Sequence, residues 1–276
     1  HAAAWYTMLV MITQLLSIVL AFGLFFGDPA MSEETSPYEL VAEVVDLSMT
    51  VNDQEYACKV VINEAAERGG AAILFLHGYG ECGIDGEKQL TVGLPKHAME
   101  NPEDWPFVLI VPQKPIFNTE WEDHEQALLK MLEVAAEQGL YDRGRLAITG
   151  LSQGGHGTII FGSKHAELFQ AAAPVCGYTE RRISKEQQRL EEVGASASDP
   201  SVVKAAKALS VIPTWLFHGD DDSVVPVSES RSLHEALKEL DADTNYTELA
   251  GVNHNSWDDA YTSIELMQWF QKHLAE

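Results

Sequence analysis

The segment around Ser152 constrains the fold more than any other part of the sequence. The apolar run 146–148 leads into the pattern Gly-x-Ser-x-Gly at 150–154, and the residues beyond it have helical character. A serine on a sharp strand-to-helix turn projects its hydroxyl clear of the sheet, and the flanking glycines allow close backbone approach. The helix that follows directs its N–H groups and the positive end of its dipole toward the same point. Ser152 is therefore the candidate nucleophile.

Apolar runs alternate with helical patterns from Tyr38 onward. We expect strands at 41–51, 56–62, 71–76, 107–111, 146–148, 171–175, 214–217 and 246–249. We expect helices at 122–138, 157–168 and 228–240, and a last one near Thr262, which forms a capping-box pattern with Glu265. This alternation predicts an α/β fold with a doubly wound, mostly parallel sheet and helices on both faces. Ligands bind such sheets at the carboxyl ends of the strands, where Ser152 falls.

The region 178–209 interrupts the alternation with a small insertion after the sixth predicted strand. It is polar and charged at first, and then rich in small residues at 194–201. A segment on this side of the sheet could form a lid or a substrate wall, or it could be a pair of surface helices.

The first 31 residues form an apolar leader that stands apart from the predicted catalytic domain, 32–276. The stretch 8–26 is almost wholly apolar and about long enough to cross a bilayer. It predicts a signal peptide or an anchor, and so a secreted, periplasmic or membrane-anchored protein, although no Lys or Arg precedes Lys59. Translation from Met31 would instead give a cytoplasmic protein. Any membrane association is expected only through this segment.

The charge and the cysteines exclude several classes of function. A formal net charge of −24 argues against nucleic-acid binding and against anionic membranes or polyanionic substrates. Three widely spaced cysteines, at 58, 82 and 176, give neither a zinc-binding spacing nor a disulfide scaffold. We expect a small-molecule substrate and no metal site.

The partners of Ser152 should follow it in the chain, with the acid first and the base last. The pattern His-Gly-x-x-Asp-x-x-Val-Pro at 218–226 places the acid at Asp222, and leaves Asp220 and Asp221 as turn formers. Among the later histidines, only His254 lies in a loop, between the last strand and the last helix. A loop there can bring an imidazole to Ser152. We therefore predict a Ser152, His254 and Asp222 triad.

The loop after the first buried strand should supply part of the oxyanion hole. In this geometry the donors are the backbone N–H of the residue after the serine and one from this early loop. These are the amides of Gln153 and Tyr79. His77, before a glycine at the strand end, is expected to be a structural, hydrogen-bonded histidine rather than the base. Cys82 lacks a setting that would make it a second nucleophile.

Four segments carry a resemblance to a known superfamily: residues 76–81, 150–155, 218–222 and 254–257. They are similar to the α/β-hydrolase superfamily, within it to the carboxylesterase, phospholipase and acyl-protein thioesterase-like group, and to the related prolyl-oligopeptidase-like peptidases. The resemblance runs from about residue 71 to the C-terminus and implies the α/β-hydrolase fold. Asn253 stands where such proteins often carry glycine, and Tyr79 replaces a residue that is usually smaller or aliphatic.

Residues and resemblance together predict a serine hydrolase that cleaves small carboxylic esters through an acyl-enzyme, with no cofactor. A prolyl-oligopeptidase-like serine peptidase and a feruloyl-type aryl esterase are the alternatives. Trp121 and Trp257 are candidate aromatic walls for the substrate, although each could simply be part of the core.

Overall fold

A computed structural model describes residues 42–181 and 195–275 of the chain. Its strands are β1 (Ala42–Asp46), β2 (Met49–Val51), β3 (Gln54–Asn63), β4 (Ala72–Leu76), β5 (Val108–Gln113), β6 (Leu146–Leu151), β7 (Ala171–Val175), β8 (Thr214–Gly219) and β9 (Thr244–Leu249). The helices of the described residues are α1 (Gly93–Glu100), α2 (Glu125–Glu137), α3 (Gln153–Lys164), α4 (Pro200–Leu209), α5 (Ser228–Glu239), α6 (Trp257–Tyr261) and α7 (Ile264–His273). Short 3-10 turns cover Lys88–Leu90, Trp121–His124 and Ala166–Leu168.

The strands form one sheet in the order β1-β3-β5-β4-β6-β7-β8-β9, with β2 paired to β3 alone. The pairs β1–β3, β2–β3 and β3–β5 are antiparallel, and every pair from β5 to β9 is parallel. The predicted mostly parallel, doubly wound sheet is therefore confirmed. The register aligns the carboxyl ends of the parallel strands, since Leu76 pairs with Gly150 and Gly219 with Leu249. The loops that follow these strands consequently meet at one edge.

Helices cover both faces of the sheet, which explains why its central strands read as unbroken apolar runs. All residues of β4, β6 and β7 are buried. One core cluster joins the sheet to α2, α3, α4 and α5, and the other joins it to α1, α6 and α7. The predicted buried face of α2 (Ala127, Leu128, Met131, Leu132 and Ala135) is confirmed.

Several predicted boundaries were wrong for local reasons. The first predicted strand divides into β1 and β2, although the turn at Asn52 and Asp53 is confirmed, with φ of 50° and 62°. The helix after the serine begins at once, at Gln153, rather than at 157. The last helix is capped by Ser263, whose hydroxyl accepts from Leu266 N at 3.2 Å. Thr262 instead follows the last residue of α6, where its hydroxyl donates to the carbonyl of Asp258 in the first turn of that helix.

The structure describes residues 178–181 and 195–209 of the insertion. Helix α4 buries Val202, Ala205, Ala206 and Leu209 in the core. It therefore forms part of the crossover from β7 to β8, and the lid hypothesis stays a prediction. Residues 182–194, and with them the rest of that hypothesis, lie outside the described residues, as does the leader 1–31. Within the described ranges, no helix combines the length and apolarity that a membrane span requires.

Candidate active site

Ser152 occupies a strained turn between β6 and α3. Its backbone has φ 54° and ψ −114°, a conformation that residues with a side chain rarely adopt. The turn is held by the bond from Ser152 N to Val175 O, 2.9 Å long. A Cβ on Gly154 would lie 1.8 Å from Leu76 O, and one on Gly150 would lie 2.4 Å from Gly154 O. The predicted need for glycine at these two positions is confirmed.

A continuous hydrogen-bonded relay links the serine to two other side chains. His254 Nε2 lies 2.9 Å from Ser152 Oγ, and His254 Nδ1 lies 2.7 Å from Asp222 Oδ2. Asp222 follows β8, and His254 lies in the loop between β9 and α6. Because Nδ1–H donates to a carboxylate, Nε2 is left to accept the serine proton. The structure thus brings the three predicted residues together in the predicted order.

The carboxylate of Asp222 is buried and remains an anion. Its Oδ1 accepts from the backbone N–H groups of Val224 and Val225, each at 2.8 Å. Burial alone would raise the pKa of Asp222, but hydrogen bonds from His218, His254 and these two amides hold that pKa well below its usual range. An anion beside Nδ1 stabilises the imidazolium that forms when His254 takes a proton.

The neighbouring aspartates do not reach the histidine. Asp220 Oδ1 accepts from Gly251 N at 2.6 Å, and the backbone N–H of Asp221 donates to Val252 O at 3.1 Å. Asn253 adds a further connection, since its Oδ1 accepts from the N–H of Ser223 at 3.1 Å and from its hydroxyl at 3.0 Å. The loops after β8 and β9 are therefore tied together.

Tyr79 and Gln153 lie on the cavity that contains Ser152. This cavity measures about 340 Å³, and its lining comprises Tyr79, Phe117, Asn118, Glu120, Ser152, Gln153, Tyr178 and Val224. Gln153 is the first residue of α3, where N–H groups have no partner within the helix. Neither the Tyr79 nor the Gln153 backbone N–H donates to another described residue. Both remain candidates for the oxyanion hole.

His77 is structural, as predicted. It is fully buried, its Nδ1 lies 2.6 Å from Gly78 O, and its Nε2 accepts from Lys114 N at 2.8 Å. Burial lowers the pKa of His77 to about 3.

Trp121 is also buried and donates from Nε1 to His77 O at 3.1 Å. Its ring supports His77 and is not part of the cavity lining, so its predicted role as a substrate wall was wrong.

Trp257 packs against the relay. Its ring meets the imidazole of His254 edge to face, with centroids 5.4 Å apart. This contact fixes one side of the imidazole, and any contact of Trp257 with a substrate remains a prediction.

Cys82 does not provide a second nucleophile. Burial raises the pKa of its thiol, which argues against a reactive thiolate, as predicted from the sequence.

Potential metal ligands come together twice among the described residues. One group, Cys176, Asp222 and His254, overlaps the relay. The other is formed by Glu120, Glu122 and His156, and its members already contact one another or Tyr178. The Tyr178 hydroxyl donates to Glu120, and His156 Nε2 lies 3.3 Å from Glu122 Oε2.

One known protein family matches the part of the chain that contains the relay. The model of the prolyl oligopeptidase family matches residues 117–276, more than half of the chain, and spans Ser152, Asp222 and His254. The chain belongs to the prolyl oligopeptidase family. This membership confirms the predicted relation to prolyl-oligopeptidase-like proteins and the α/β-hydrolase fold. It also makes the chain a serine hydrolase of the prolyl oligopeptidase and esterase type.

Solved structures similar to this prolyl oligopeptidase family member include both esterases and a peptidase. A thermostable esterase is 26% identical, with a TM-score of 0.66 over 83% of this chain and 62% of that one. The acylaminoacyl peptidase of Pyrococcus horikoshii is 17% identical, with a TM-score of 0.59 over 85% and 42%. A ferulic acid esterase is 15% identical, with a TM-score of 0.60 over 84% and 98%. The chain thus spans less than two thirds of the first two proteins. A comparison with curated proteins gave no match.

Proposed function

We propose that this chain is a carboxylesterase that cleaves small, uncharged esters through an acyl-enzyme. The relay from Ser152 through His254 to Asp222 is the observation that carries this proposal. Ser152 Oγ attacks the ester carbonyl while His254 accepts its proton. Asp222 fixes the imidazole tautomer and stabilises its charged form. His254 then protonates the leaving alcohol, and afterwards activates the water that hydrolyses the acyl-enzyme.

The backbone amides of Tyr79 and Gln153 stabilise the oxyanion of each tetrahedral intermediate. The Gln153 amide stands at the N-terminus of the twelve-residue helix α3, so the helix dipole adds to its effect. Removal of one such donor typically slows the chemical step by about 10² to 10³-fold.

The cavity beside Ser152 favours small uncharged substrates. Its walls include exposed portions of Tyr79, Phe117 and Val224, whose apolar surfaces suit an acyl or aryl group. Glu120 places a carboxyl group in the lining, and the chain carries a formal net charge of −24. Both features disfavour anionic esters.

A peptidase activity is the competing proposal. Family membership favours it, because the family is named for a peptidase and the similar Pyrococcus horikoshii protein is an acylaminoacyl peptidase. The same relay would serve a peptidase, since amide and ester hydrolysis share the acyl-enzyme route.

The aromatic pair Tyr79 and Phe117, with ring centroids 5.3 Å apart, favours aryl esters as a subclass of the esterase proposal.

Two experiments test the proposal. Labelling with a fluorophosphonate, followed by mass mapping, should modify Ser152 in the wild type and nothing in Ser152→Ala. Modification at another residue would contradict the assignment of the nucleophile.

The second experiment compares kcat/KM at matched ionic strength for short p-nitrophenyl esters, a feruloyl ester and an Ala-Pro anilide. A tenfold preference for the anilide, about 1.4 kcal/mol, would replace the esterase with the peptidase.

A further inference from the structure

A buried histidine that has no part in the relay contacts the acid of the relay. His218 lies near the end of β8 and is fully buried. Its Nε2 lies 3.2 Å from Asp222 Oδ2 and 3.0 Å from Val225 O, and its Nδ1 lies 2.7 Å from Ser230 Oγ on α5. The imidazole therefore joins the strand, the acid loop and the helix that follows.

These contacts determine where the proton of His218 lies. Nε2 faces a carboxylate oxygen and a carbonyl oxygen, and neither can donate. Nε2 must therefore carry the proton, and Nδ1 accepts from the hydroxyl of Ser230. One neutral imidazole satisfies all three contacts, so His218 acts as a donor to Asp222 without needing a charge.

The donors around Asp222 divide between its two oxygens. Oδ1 accepts from the backbone N–H groups of Val224 and Val225, while Oδ2 accepts from His254 at 2.7 Å and from His218 at 3.2 Å. The backbone thus holds one oxygen and two imidazoles hold the other. If the donor of His218 were removed, His254 would be the one imidazole of the described residues that still donates to Oδ2. His254 has to change its charge during the reaction, and it is therefore a poor anchor.

We propose that His218 is a positioning residue that fixes the carboxylate of Asp222 toward His254. This inference rests on the proposed function of the Ser152, His254 and Asp222 relay. The bond from His218 restrains rotation of the carboxyl group and shares the negative charge of Oδ2. The carboxylate then remains aligned with Nδ1–H of His254 while the proton moves between Ser152 and Nε2.

The same bond influences the pH range of the reaction. A carboxylate oxygen that accepts only from His254 favours the imidazolium form more strongly, because its charge is shared with one donor instead of two. The charged groups near His218 are Asp222, which it contacts, and Glu248, its register partner on β9, which Arg231 of α5 binds at 2.7 Å. Loss of the His218 donor should therefore move the acidic limb of the kcat/KM profile to higher pH.

The kinetic test compares two replacements of His218 and one control. His218→Leu removes the donor, and should lower kcat for a p-nitrophenyl ester by about 10- to 100-fold with KM changed less than about twofold. His218→Gln keeps an N–H donor near the position of Nε2 and should restore most of the activity. His234→Leu, on α5, removes a partly buried histidine that bonds Thr244 Oγ1 at 3.2 Å and should leave the pH profile unchanged.

Proton NMR gives a readout that does not require a substrate. The resonance of His254 Nδ1–H should move downfield, or broaden, in His218→Leu, and should stay in place in His234→Leu. Should His218→Leu fail to fold, Ser230→Ala loosens the same imidazole and should shift the resonance in the same direction by a smaller amount.

The outcomes separate this inference from the proposed function. Unchanged kinetics, pH profile and resonance in His218→Leu would overturn the positioning role, even if wild-type Ser152 reacts with the fluorophosphonate. If Ser152 does not react but the resonance still shifts, the esterase proposal fails and the contact of His218 with Asp222 stands. Equal losses in His218→Leu and His218→Gln would also overturn the role, because they would show that the donor is irrelevant.

Discussion

Three consecutive aspartates follow β8, and they make different contacts. Asp222 faces His254, while Asp220 bonds the loop after β9 through Gly251 N. The difference arises because the turn after Gly219 directs only the third carboxylate inward, where the amides of Val224 and Val225 receive it.

We therefore predict unequal effects of replacing these aspartates. Asp222→Asn should lower kcat by about 10⁴-fold, because an amide can stabilise the wrong imidazole tautomer and cannot balance an imidazolium. Asp220→Asn and Asp221→Asn should each cost far less. Steady-state kinetics on one p-nitrophenyl ester checks the order, and a larger loss in Asp221→Asn would show that the acid has been assigned to the wrong position.

The sequence was sufficient to predict these residues because each follows a strand at the same edge of the sheet. Ser152, Asp222 and His254 were found from motif spacing and chain order alone. The role of His218 was not found, although it opens the same motif, because its importance depends on a contact with a side chain four residues away across a turn. Trp121 was misassigned because an aromatic residue in a core and one in a pocket look alike in sequence.

At the scale of elements, the segment 114–124 forms the wall beside the serine and depends on buried polar groups. Lys114 is fully buried, and its Nζ donates to Ile116 O and Thr119 O, each at 2.7 Å. Burial lowers the pKa of Lys114. Gln153 Nε2 bonds Thr119 O from the start of α3 at 3.0 Å. The wall is therefore fixed to the strand below it and to the helix that carries the nucleophile.

Two buried histidines, His77 behind this wall and His124 at its end, should make folding sensitive to mild acid. Burial lowers the pKa of His77 to about 3 and that of His124 to about 4. The unfolded chain binds these protons below about pH 6.5, whereas the folded chain does not. The free energy of unfolding should therefore decrease as the pH falls from 7 to 5, by roughly 2 kcal/mol for each histidine.

Urea unfolding at pH 7 and at pH 5 measures this dependence. His124→Gln removes one of the two titrating groups and should show a smaller decrease than the wild type. Equal stability of the wild type at the two pH values would contradict the assignment of these histidines as neutral.

The strands and long helices followed from periodicity, whereas the short elements did not. Helix α6 has five residues, too few for an apolar stripe, and the eight-residue α1 contains Gly93 and Pro95, which are poor helix formers. The start of α3 was placed four residues late because Gly154 and Gly155 have low helix propensity. Both glycines are needed there, since a Cβ on either would lie within 2.5 Å of a backbone oxygen of a neighbouring strand.

The whole molecule carries 42 acidic and 18 basic side chains, and this imbalance should be visible in its kinetics. A field of this sign repels anionic substrates over about a Debye length, roughly 30 Å at 0.01 M salt and 8 Å at 0.15 M. We expect kcat/KM for p-nitrophenyl hemisuccinate to rise several-fold between these salt concentrations. The value for p-nitrophenyl acetate should change little, and equal responses of the two esters would show that the charge does not act on substrate approach.

The connection between Ser223 and Asn253 has an evolutionary consequence. Asn253 replaces the glycine that often precedes the histidine in similar proteins, and its side chain accepts from the backbone and the hydroxyl of Ser223. We therefore expect the two positions to covary among relatives. Where residue 253 is glycine, residue 223 need not carry a hydroxyl group. A mutation at either position alone would remove the bond between the Ser223 hydroxyl and the Asn253 side chain, so we expect the acid loop and the base loop to change together.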